Sequence, residues 1–425
     1  MRGPAVHDEA LLRAAGRFGT PVHVTSVAAL EEAAATLASA FPDPWLRAFS
    51  LKANDVPAIV ARLAAAGLDA NVVSLGEWNA ARAAGIPNGR ITLEGVGKSP
   101  ADLRAAVRAC VAGEPLRWVA VESPEELGAL VMLADRAGLG RGARPALDVL
   151  ARLNPDVHPE THAGLATGLG TSKFGMTETE LTGAVASLVP DGPVAARGIH
   201  LHVGSQLGTV DAWRDAVRRG LAVLALLRAG RPGFDTLDVG GGFPVGDPGT
   251  VPPPARFAAE LPALLAAIPA DRRPSRLATE PGRFLVASAG WIVASVLHVR
   301  ERGEGGRVAV LDAGMTELIR PMLYGAEHPL AALTSLGRPV VPGIALAPTR
   351  VEGPVCESTD SLGRYDLPPL QRGDLIAIGE TGAYAASMAS TYNGRPAAAQ
   401  VLLEADGTLR MGRRRGRLVV GAPPA

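Results

Sequence analysis

Four short polar segments of the sequence could together perform amine and phosphate chemistry. The segments are Ser50–Asn54, His200–Gln206, Gly240–Phe243 and Glu280–Arg283. Each closes an apolar run rich in β-forming residues, where polar side chains are uncommon unless they are paired or used. Together they offer an amine that can form an imine, two imidazoles, a glycine turn open to an anion, and a carboxylate beside a guanidinium.

Lys52 carries the most reactive side chain of these segments. If the first run is a strand, Ser50 and Lys52 share one of its faces, because side chains alternate along a strand. Burying an ammonium group is costly unless the group is paired or chemically used. Taken alone, however, a lysine at this place more often reaches solvent along its aliphatic stem or forms an ion pair.

The other three segments are weak signals when each is taken alone. His200 and His202 share a predicted strand face, but a lone histidine is more often a hydrogen-bonded core residue. The glycines Gly240–Gly242 would let backbone N–H groups approach a phosphate, but they also suit a tight turn. Glu280 and Arg283 could serve a ring nitrogen and an anion, or they could form an ordinary ion pair in a loop.

The elements that carry these segments are predicted to form a barrel. Apolar runs alternate with amphipathic, Ala-rich stretches from about residue 46 to residue 290. The eight runs are Leu46–Lys52, Ala70–Val73, Arg90–Leu93, Arg117–Val121, Leu147–Leu153, Arg197–Val203, Thr236–Val239 and Arg276–Thr279. Eight such units predict an α/β fold with a closed (β/α)8 TIM-type barrel. An open doubly wound sheet is the alternative, and it requires no particular strand count.

On one barrel rim, the four segments fit a single cofactor. They follow runs 1, 6, 7 and 8, and working residues of such barrels lie at the C-terminal ends of the strands. An imine-forming amine, a partner for a ring face, a phosphate site and a charge for a ring nitrogen are the parts of a pyridoxal 5′-phosphate (PLP) site. We expect no metal, because His158 and His162 lack a supporting cluster of further ligands.

A second, mostly β domain is predicted after the barrel, because helical patterns become rare beyond residue 290. The strands predicted there are Trp291–Val299, Val308–Leu311, Ala345–Val351 and Leu375–Ile378. We therefore expect three segments along the chain. They are an N-terminal segment (1–30) that joins the β domain through a strand at Val22–Val24, the barrel (31–290) and the β domain itself (291–425).

Composition argues against several other classes of protein. Hydrophobic residues make up 47% of the 425 residues, and the 42 Lys+Arg balance the 42 Asp+Glu, so nucleic acid and anionic membranes are not expected partners. We recognise no signal peptide or membrane span, and the two cysteines are too few for a disulfide framework, so a cytoplasmic protein is expected. Gly95–Ser99 resembles the end of a P-loop, but Thr92 stands where that motif needs its first glycine.

The ordered motifs resemble the diaminopimelate decarboxylases, a family of the PLP-dependent group that also contains ornithine and arginine decarboxylases. The resemblance covers nearly the whole chain. It is carried by Phe49–Asn54, Gly198–Gln206, Leu237–Phe243, Glu280–Arg283, Asp312–Tyr324, Cys356–Asp360 and Gly382–Pro396. It implies an alanine-racemase-like barrel that decarboxylates meso-2,6-diaminopimelate at its D-centre, giving L-lysine and CO2, the last step of lysine biosynthesis.

The resemblance also implies a role for each site residue. Lys52 would hold PLP as a Schiff base, His202 would stack on its ring, and Glu280 would pair with the pyridinium nitrogen. The remaining cofactor contacts would come from Ser205, Gly240, Gly241, Gly242, Pro281, Gly282, Arg283 and Tyr384. The substrate would be bound by Arg283, Arg320, Tyr324, Glu357 and Tyr384. In that set, Arg320 would bind a carboxylate and Glu357 the distal ammonium.

In this family, the residues matching Cys356 and Glu357 reach into the neighbouring subunit's site, so the resemblance implies a homodimer with shared sites. Cys356 lies in the polar segment Cys-Glu-Ser-Thr-Asp and is our candidate for the acid that protonates the carbon left by CO2. A free cysteine is otherwise often a small buried hydrophobe. That is how we interpret Cys110, which lies on a predicted Ala-rich helix.

Several positions depart from the family pattern. Asn71 stands where an aspartate is usual, and Leu75 stands where a glycine is usual. Val96-Gly97 replaces a frequent Asn-Asn, and Ala385 replaces a glycine after Tyr384. These changes leave open a sibling PLP decarboxylase in a secondary pathway, acting on D- or L-ornithine, lysine or carboxynorspermidine.

A non-catalytic PLP-binding regulatory homologue is an alternative of another class. Such a protein would bind the cofactor without turning over an amino acid. Cys356 and Tyr384 argue against it, because a protein that only binds the cofactor needs neither residue.

Overall fold

Two structural units are present in the computed structural model, which describes residues 5–142, 144–247, 249–303 and 306–417. One unit comprises Glu31–Leu285. The other combines the chain up to Leu30 with the part that begins at Val286.

A closed barrel of eight parallel strands forms the sheet of the unit Glu31–Leu285. Helix α1 (Ala5–Phe18), strand β1 (Val22–Ser26) and helix α2 (Val27–Ala40) come before it along the chain. The barrel strands are β2 (Leu46–Ser50), β3 (Asp69–Val72), β4 (Ile91–Leu93), β5 (Trp118–Val121), β6 (Leu147–Arg152), β7 (Val194–His200), β8 (Thr236–Asp238) and β9 (Arg276–Thr279). Pairing of β2 with β9 closes the ring. The predicted barrel is confirmed, and the open doubly wound sheet is wrong.

Several of the helices that follow the barrel strands begin after a serine or threonine whose side chain accepts a hydrogen bond from a backbone N–H group. The helices that follow the barrel strands are α3 (Pro57–Ala65), α4 (Leu75–Ala83), α5 (Pro100–Val111), α6 (Pro124–Arg136), α7 (Glu178–Ala186), α8 (Asp211–Arg228), α9 (Pro254–Ala258), α10 (Leu261–Ala266) and α11 (Arg283–Val286). The Ser123 side chain caps α6, and Thr177 forms a capping box with Glu180 at α7. One such cap contributes about 1 kcal/mol. None of the helices in the described parts of the chain is long and apolar enough to cross a lipid bilayer.

The segment that resembles the end of a P-loop has a structural role. Ser99 caps α5 and forms a capping box with Asp102. The side chain of Lys98 is fully buried, and its Nζ lies 3.1 Å from Glu126 Oε1. The lysine therefore neutralises a carboxylate on α6 instead of facing an open phosphate site.

The first and sixth barrel strands end earlier than the sequence predicted. Strand β2 ends at Ser50, and Lys52 lies in a short 3-10 turn, Leu51–Ala53. The Ser50 N–H donates to the Pro281 carbonyl at 3.1 Å, which ends the regular ladder at that point. Strand β7 ends at His200, so His202 lies beyond it. The prediction that Lys52 and His202 lie on strands is therefore wrong, because each strand ends two residues before them.

The second unit is built around a mostly antiparallel sheet. Its elements are β10 (Gly290–Glu301), β11 (Arg307–Leu311), α12 (Arg320–Tyr324), β12 (Leu330–Ala332), β13 (Thr334–Ser335), β14 (Arg338–Pro339), β15 (Ala347–Glu352), β16 (Ser361–Leu367), β17 (Leu375–Ile378), β18 (Ala399–Leu403) and β19 (Leu409–Arg413). The main path is β16-β15-β11-β10-β1-β18-β19. Strand β1 pairs antiparallel with β10 and parallel with β18. The expected mostly β second domain is confirmed.

Gly198 tests the packing of the barrel around β7. An ideal Cβ at this residue would lie 1.8 Å from the carbonyl oxygen of Thr236, its partner in β8. Because two backbones would have to separate, we expect Gly198→Ala to lower the free energy of unfolding by about 3 kcal/mol or more. Urea unfolding followed by circular dichroism measures this change.

Gly183→Ala is the matched control, because a Cβ at this α7 position meets no atom within 4 Å. It replaces a helical glycine by alanine and should leave the stability equal or slightly higher. A Gly198→Ala protein with the urea midpoint of the unsubstituted chain would contradict the steric argument.

Candidate active site

The C-terminal ends of the barrel strands surround a cavity of about 440 Å³. Its lining includes charged and polar side chains from separate strands. Among them are Lys52, Glu94, Arg152, His200, His202 and Glu280. The structure thus brings together Lys52, His202 and Glu280, which the sequence had placed on one rim.

Lys52 can be distinguished from the other lysines of the chain. The sequence contains only Lys52, Lys98 and Lys173. Lys98 is buried against Glu126, whereas Lys173 is exposed at the cavity. Lys52 is half-buried and follows β2 directly, so it is the lysine fixed by the barrel itself. The scarcity of lysine is visible in the sequence and narrows the choice of imine-forming residue at once.

His202 presents a neutral ring to the cavity. The Gly241 N–H donates to its Nδ1 at 3.4 Å, so this nitrogen acts as the acceptor. Desolvation, followed by the positive charges of Lys52 and Arg152, lowers the pKa of His202 well below its usual range. An uncharged imidazole next to the lysine can lie against an aromatic ring without repelling it.

The glycine turn after β8 has room for backbone atoms only. A Cβ at Gly240 would lie 2.2 Å from the Leu201 carbonyl oxygen, and one at Gly241 would lie 2.4 Å from the Glu280 carbonyl oxygen. Gly240 and Gly242 also have φ values of +69° and +97°, which favour glycine. The turn is therefore a cradle that a side chain would fill, as a phosphate site requires.

Ser205 and Arg283 supply polar groups in the same unit. Arg283 is buried, and its Nε and Nη2 donate to Ser205 Oγ at 3.3 and 3.1 Å. Because the serine oxygen accepts from the guanidinium, its own proton remains available for an anion. A hydroxyl donor beside a buried positive charge suits a phosphate group.

Glu280 is the buried acid of the site. Its Oε1 accepts a hydrogen bond from Asn71 Nδ2 at 2.6 Å, and its Oε2 lies 3.2 Å from His200 Nε2. Burial and the neighbouring charge of Glu94 raise the pKa of Glu280 well above its usual range. Glu280 can therefore carry a proton near neutral pH and share it with a basic ring nitrogen. The unusual residue Asn71 belongs to this contact.

Sequence analysis missed several charged residues of the cavity. Glu94 comes directly after β4, and Arg152 is the last residue of β6. The Arg152 guanidinium lies 2.6 Å from Glu122 Oε1 and covers the ring of Phe174 at 4.9 Å. Glu94 and Arg152 each lie at the end of an apolar run of the sequence, as Lys52 and Glu280 do. Inspection of all eight strand ends in the sequence would have found them.

The predicted substrate carboxylate ligand, Arg320, lies in the second unit. It begins helix α12, and Tyr324 ends the same helix. Arg320 Nη1 is 2.9 Å from His328 Nε2, and the opposite ring nitrogen of His328 is 3.1 Å from the Gly379 carbonyl. Because a carbonyl only accepts, His328 donates to it through Nδ1 and accepts from Arg320 at Nε2. This chain of contacts orients the guanidinium.

Cys356 and Glu357 are exposed in the loop before β16. The Asn393 side chain donates to Cys356 Sγ at 3.4 Å, and the Tyr392 hydroxyl donates to Glu357 Oε1 at 2.6 Å. The loop is fixed by the buried carboxylate of Asp360, which accepts from two backbone N–H groups. An ordered loop therefore presents a thiol and a carboxylate side by side.

Tyr384 and Ala385 show how the second unit accommodates one departure. Tyr384 is half-buried and has a φ of +57°, a conformation that costs a residue with a side chain about 1 kcal/mol or more. Ala385 has a φ of −100°, so this position does not require glycine. The Gly-to-Ala departure is therefore compatible with the backbone that holds Tyr384.

The other cysteine is structural. Cys110 is buried within α5, as the sequence suggested, and its Sγ lies 3.9 Å from the Pro145 carbonyl. Burial raises the pKa of this thiol, so it stays protonated and unreactive.

Comparisons with known proteins identify similar sequences and a similar crystal structure. Residues 27–287 match the family described as pyridoxal-dependent decarboxylase, pyridoxal binding domain. The diaminopimelate decarboxylase of Deinococcus radiodurans is 38% identical over 92% of this chain and 92% of its own, and that of Zymomonas mobilis is 35% identical over 94% and 91%. A crystal structure of the Helicobacter pylori diaminopimelate decarboxylase complexed with L-lysine superposes with a TM-score of 0.85, at 30% identity over 96% and 97% of the two chains.

Replacement of Lys52 tests which lysine holds the cofactor. We expect purified Lys52→Ala, incubated with PLP, to lose the visible absorbance of an enzyme-bound imine, because the attaching amine is gone. Absorbance spectra after removal of free PLP measure this loss.

Lys173→Ala is the control, since it removes the other lysine that lines the cavity. It should keep the visible band. A band that persists in Lys52→Ala and disappears in Lys173→Ala would show that the assignment is wrong.

Proposed function

The chain belongs to the pyridoxal-dependent decarboxylases, and we propose that it removes CO2 from meso-2,6-diaminopimelate and releases L-lysine. It is a carboxy-lyase that depends on PLP. The observation that carries the proposal is the likeness to diaminopimelate decarboxylases over 92% of both chains, combined with a barrel cavity lined by Lys52, His202 and Glu280.

The residues of the barrel fit PLP. The amine of Lys52 would attach the cofactor, the turn Gly240–Gly242 and Ser205 would surround its phosphate, and the neutral ring of His202 would lie against its ring. The loop Glu280–Arg283 would hold the nitrogen end and an anion. When bound, PLP supplies an electron sink for the electron pair that CO2 leaves behind.

The protein's own groups prepare the site for this chemistry. Asn71 fixes one oxygen of Glu280, and His200 fixes the other, so the acid that would serve the ring nitrogen is held in one orientation. The raised pKa of Glu280 keeps a proton available at that nitrogen.

Arg320 supports a substrate with a second carboxylate. Its planar guanidinium, oriented by His328, matches a carboxylate with two parallel hydrogen bonds. Glu357 would recognise the distal ammonium, and Tyr324 would assist Arg320. Ornithine and lysine have the distal ammonium but no distal carboxylate, so this pair of groups favours a diamino dicarboxylic acid.

Cys356 is the proposed donor of the proton to the carbon left by CO2. Its thiol is exposed in an ordered loop next to Glu357, and we propose that both residues complete the site of a neighbouring subunit. The protein would accordingly act as a homodimer with two shared sites. We propose the cytoplasm as its location, where the thiol stays reduced.

The departures from the family pattern give little support to a sibling decarboxylase that acts on another amino acid. Asn71 contacts Glu280, so it bears on the cofactor's ring nitrogen and not on the far end of the substrate. Ala385 fits its backbone without strain. Neither change favours ornithine, lysine or carboxynorspermidine over diaminopimelate.

A substrate panel tests the function directly. PLP-loaded protein is incubated with meso-, LL- and DD-diaminopimelate, L-lysine, D- and L-ornithine and carboxynorspermidine. We expect CO2 from the meso isomer and a product that chiral chromatography identifies as L-lysine. No release from meso-diaminopimelate, with release from another amino acid, would assign the chain to a sibling activity. Bound PLP without turnover of any compound would indicate a regulatory homologue.

Mixed dimers test the sharing of sites. Lys52→Ala and Cys356→Ala each inactivate both sites of their own homodimer. If the two residues of a site come from different subunits, a heterodimer of the two variants keeps one intact site. Mixing the two proteins after reversible dissociation should then restore about one quarter of the wild-type activity, because half of the dimers carry one intact site.

Light scattering gives the mass of the species. A mixture that stays inactive although heterodimers form would show that Lys52 and Cys356 act in the same chain. A monomeric active enzyme would contradict the dimer itself.

A further inference from the structure

We propose that Glu94 is a positioning residue for the PLP ring nitrogen: through His200 it holds Glu280 in place and supplies the negative charge that keeps a proton at that end of the ring. The inference rests on the proposed function for its setting, since it assumes that PLP occupies the barrel. None of the sequence motifs pointed to Glu94.

The geometry of three buried side chains carries the proposal. Glu94 Oε2 lies 3.1 Å from His200 Nε2, and Glu280 Oε2 lies 3.2 Å from the same nitrogen. The residues are only 4%, 1% and 4% exposed for Glu94, His200 and Glu280. One imidazole nitrogen therefore bridges the carboxyl group of Glu94, which comes directly after β4, and that of Glu280, in the loop after β9.

The contacts among the described residues do not use every polar atom of this bridge. His200 Nδ1 is buried and has no hydrogen-bond partner among the described residues. One carboxylate oxygen each from Glu94 and Glu280 and one ring nitrogen of His200 lie within 4.8 Å of one another. All three residues line the same cavity as Lys52. A group that binds there meets two neighbouring acids that are bridged by a single imidazole.

The acids of this cluster differ in their affinity for a proton. Burial, followed by repulsion from Glu94 or Glu280, raises the pKa values of Asp238 and Glu280 well above their usual range. Burial opposes the ionisation of Glu94, but His200 and hydrogen bonds from Glu280 and Asn71 outweigh it and lower the pKa of Glu94. Glu94 thus binds a proton less readily than Asp238 or Glu280 does.

The other groups around the cluster define the field in which Glu94 acts. Asp238 faces it from β8, and Asn71 contributes a neutral amide from β3. Lys52, Arg152 and the neutral ring of His202 line the same cavity. Two positive charges near the ring would favour loss of its proton, and the charge of Glu94 opposes that effect.

Replacement of Glu94 by Gln removes the charge and keeps the size. A ring nitrogen that loses a nearby anion gives up its proton more easily, so its pKa falls. We expect the alkaline limb of the kcat/KM profile, and the pH-dependent change in the visible spectrum of bound PLP, to move down by about one pH unit. The Kd of the apoenzyme for PLP, measured by fluorescence titration, should rise about tenfold, because the oriented partner of the ring nitrogen is weakened.

A charge placed at position 71 provides the reciprocal test. Asn71 Nδ2 lies 2.6 Å from the other oxygen of Glu280, so Asn71→Asp adds a negative charge to the same acid from the opposite side. Alone, it should move the spectral transition upward in pH. In the double variant with Glu94→Gln it should restore the transition to near the wild-type pH. This rescue does not depend on whether Glu94→Gln is fully stable.

Glu126→Gln controls for the cost of losing any buried acid near this rim. Glu126 is paired with Lys98 and is not part of the cluster. The Glu126→Gln variant should have lower thermal stability, with the spectral transition and the PLP Kd unchanged. If Glu94→Gln behaves in the same way, with lower stability and an unmoved transition, or if Asn71→Asp causes no upward shift, the positioning role is wrong.

Failure of the proposed function would be recognised separately. The PLP Kd and the spectral titration are measured without substrate. A wild-type protein that decarboxylates no amino acid would overturn the proposed function, and the spectra of the Glu94 and Asn71 variants would still decide the role of Glu94.

Discussion

Closure of the parallel barrel is the constraint on which the rest of the site depends. Pairing of β2 with β9 brings the first and last strands side by side, so residues more than 200 positions apart share one rim. The Ser50 N–H bonds to the Pro281 carbonyl, which fixes the turn that carries Lys52 to the loop that carries Glu280. The C-terminal ends of parallel strands lie at one edge of the sheet, and closure turns that edge into a ring. Lysine, acid and glycine turn therefore keep a common frame.

Desolvation at that rim turns ordinary residues into chemically useful ones. Enclosure next to two positive side chains lowers the pKa of His202, and enclosure next to Glu94 raises the pKa of Glu280. The same burial would be unfavourable if these groups were unpaired. The cavity resolves this with contacts that cross between strands, such as Arg152 with Glu122. Each contact neutralises charge and orients a side chain at once.

Much of this could be predicted from the sequence, because the apolar runs are short and regularly spaced. The strand Arg276–Thr279 was placed correctly, and the other seven barrel strands were off by three residues or fewer at each end. The errors lie where the chain leaves the ladder: Lys52 is in a 3-10 turn, since hydrogen bonding to a distant loop ends β2. Such a partner is not local in sequence. Helix α1 was not predicted; the only element expected in the N-terminal segment was the short strand after it.

Glu94 shows the limit of motif-based reasoning most clearly. Its sequence neighbours suggested a phosphate loop, and the structure shows instead a helix cap at Ser99 and a buried lysine pair at Lys98. The charge that matters lies just before that segment and acts through His200 on an acid 186 positions away.

A neutral Asn71 is understandable in the same setting. Glu94, Asp238 and Glu280 already lie close enough to shift one another's pKa values, and an aspartate at position 71 would add a fourth acid against one histidine. Buried like charges cannot all ionise, and each added one raises the proton affinity of the rest. The amide keeps the hydrogen bond to Glu280 without that charge. Asn71 and Glu94 are therefore best understood together, because both hold Glu280, Asn71 by a direct hydrogen bond and Glu94 through His200.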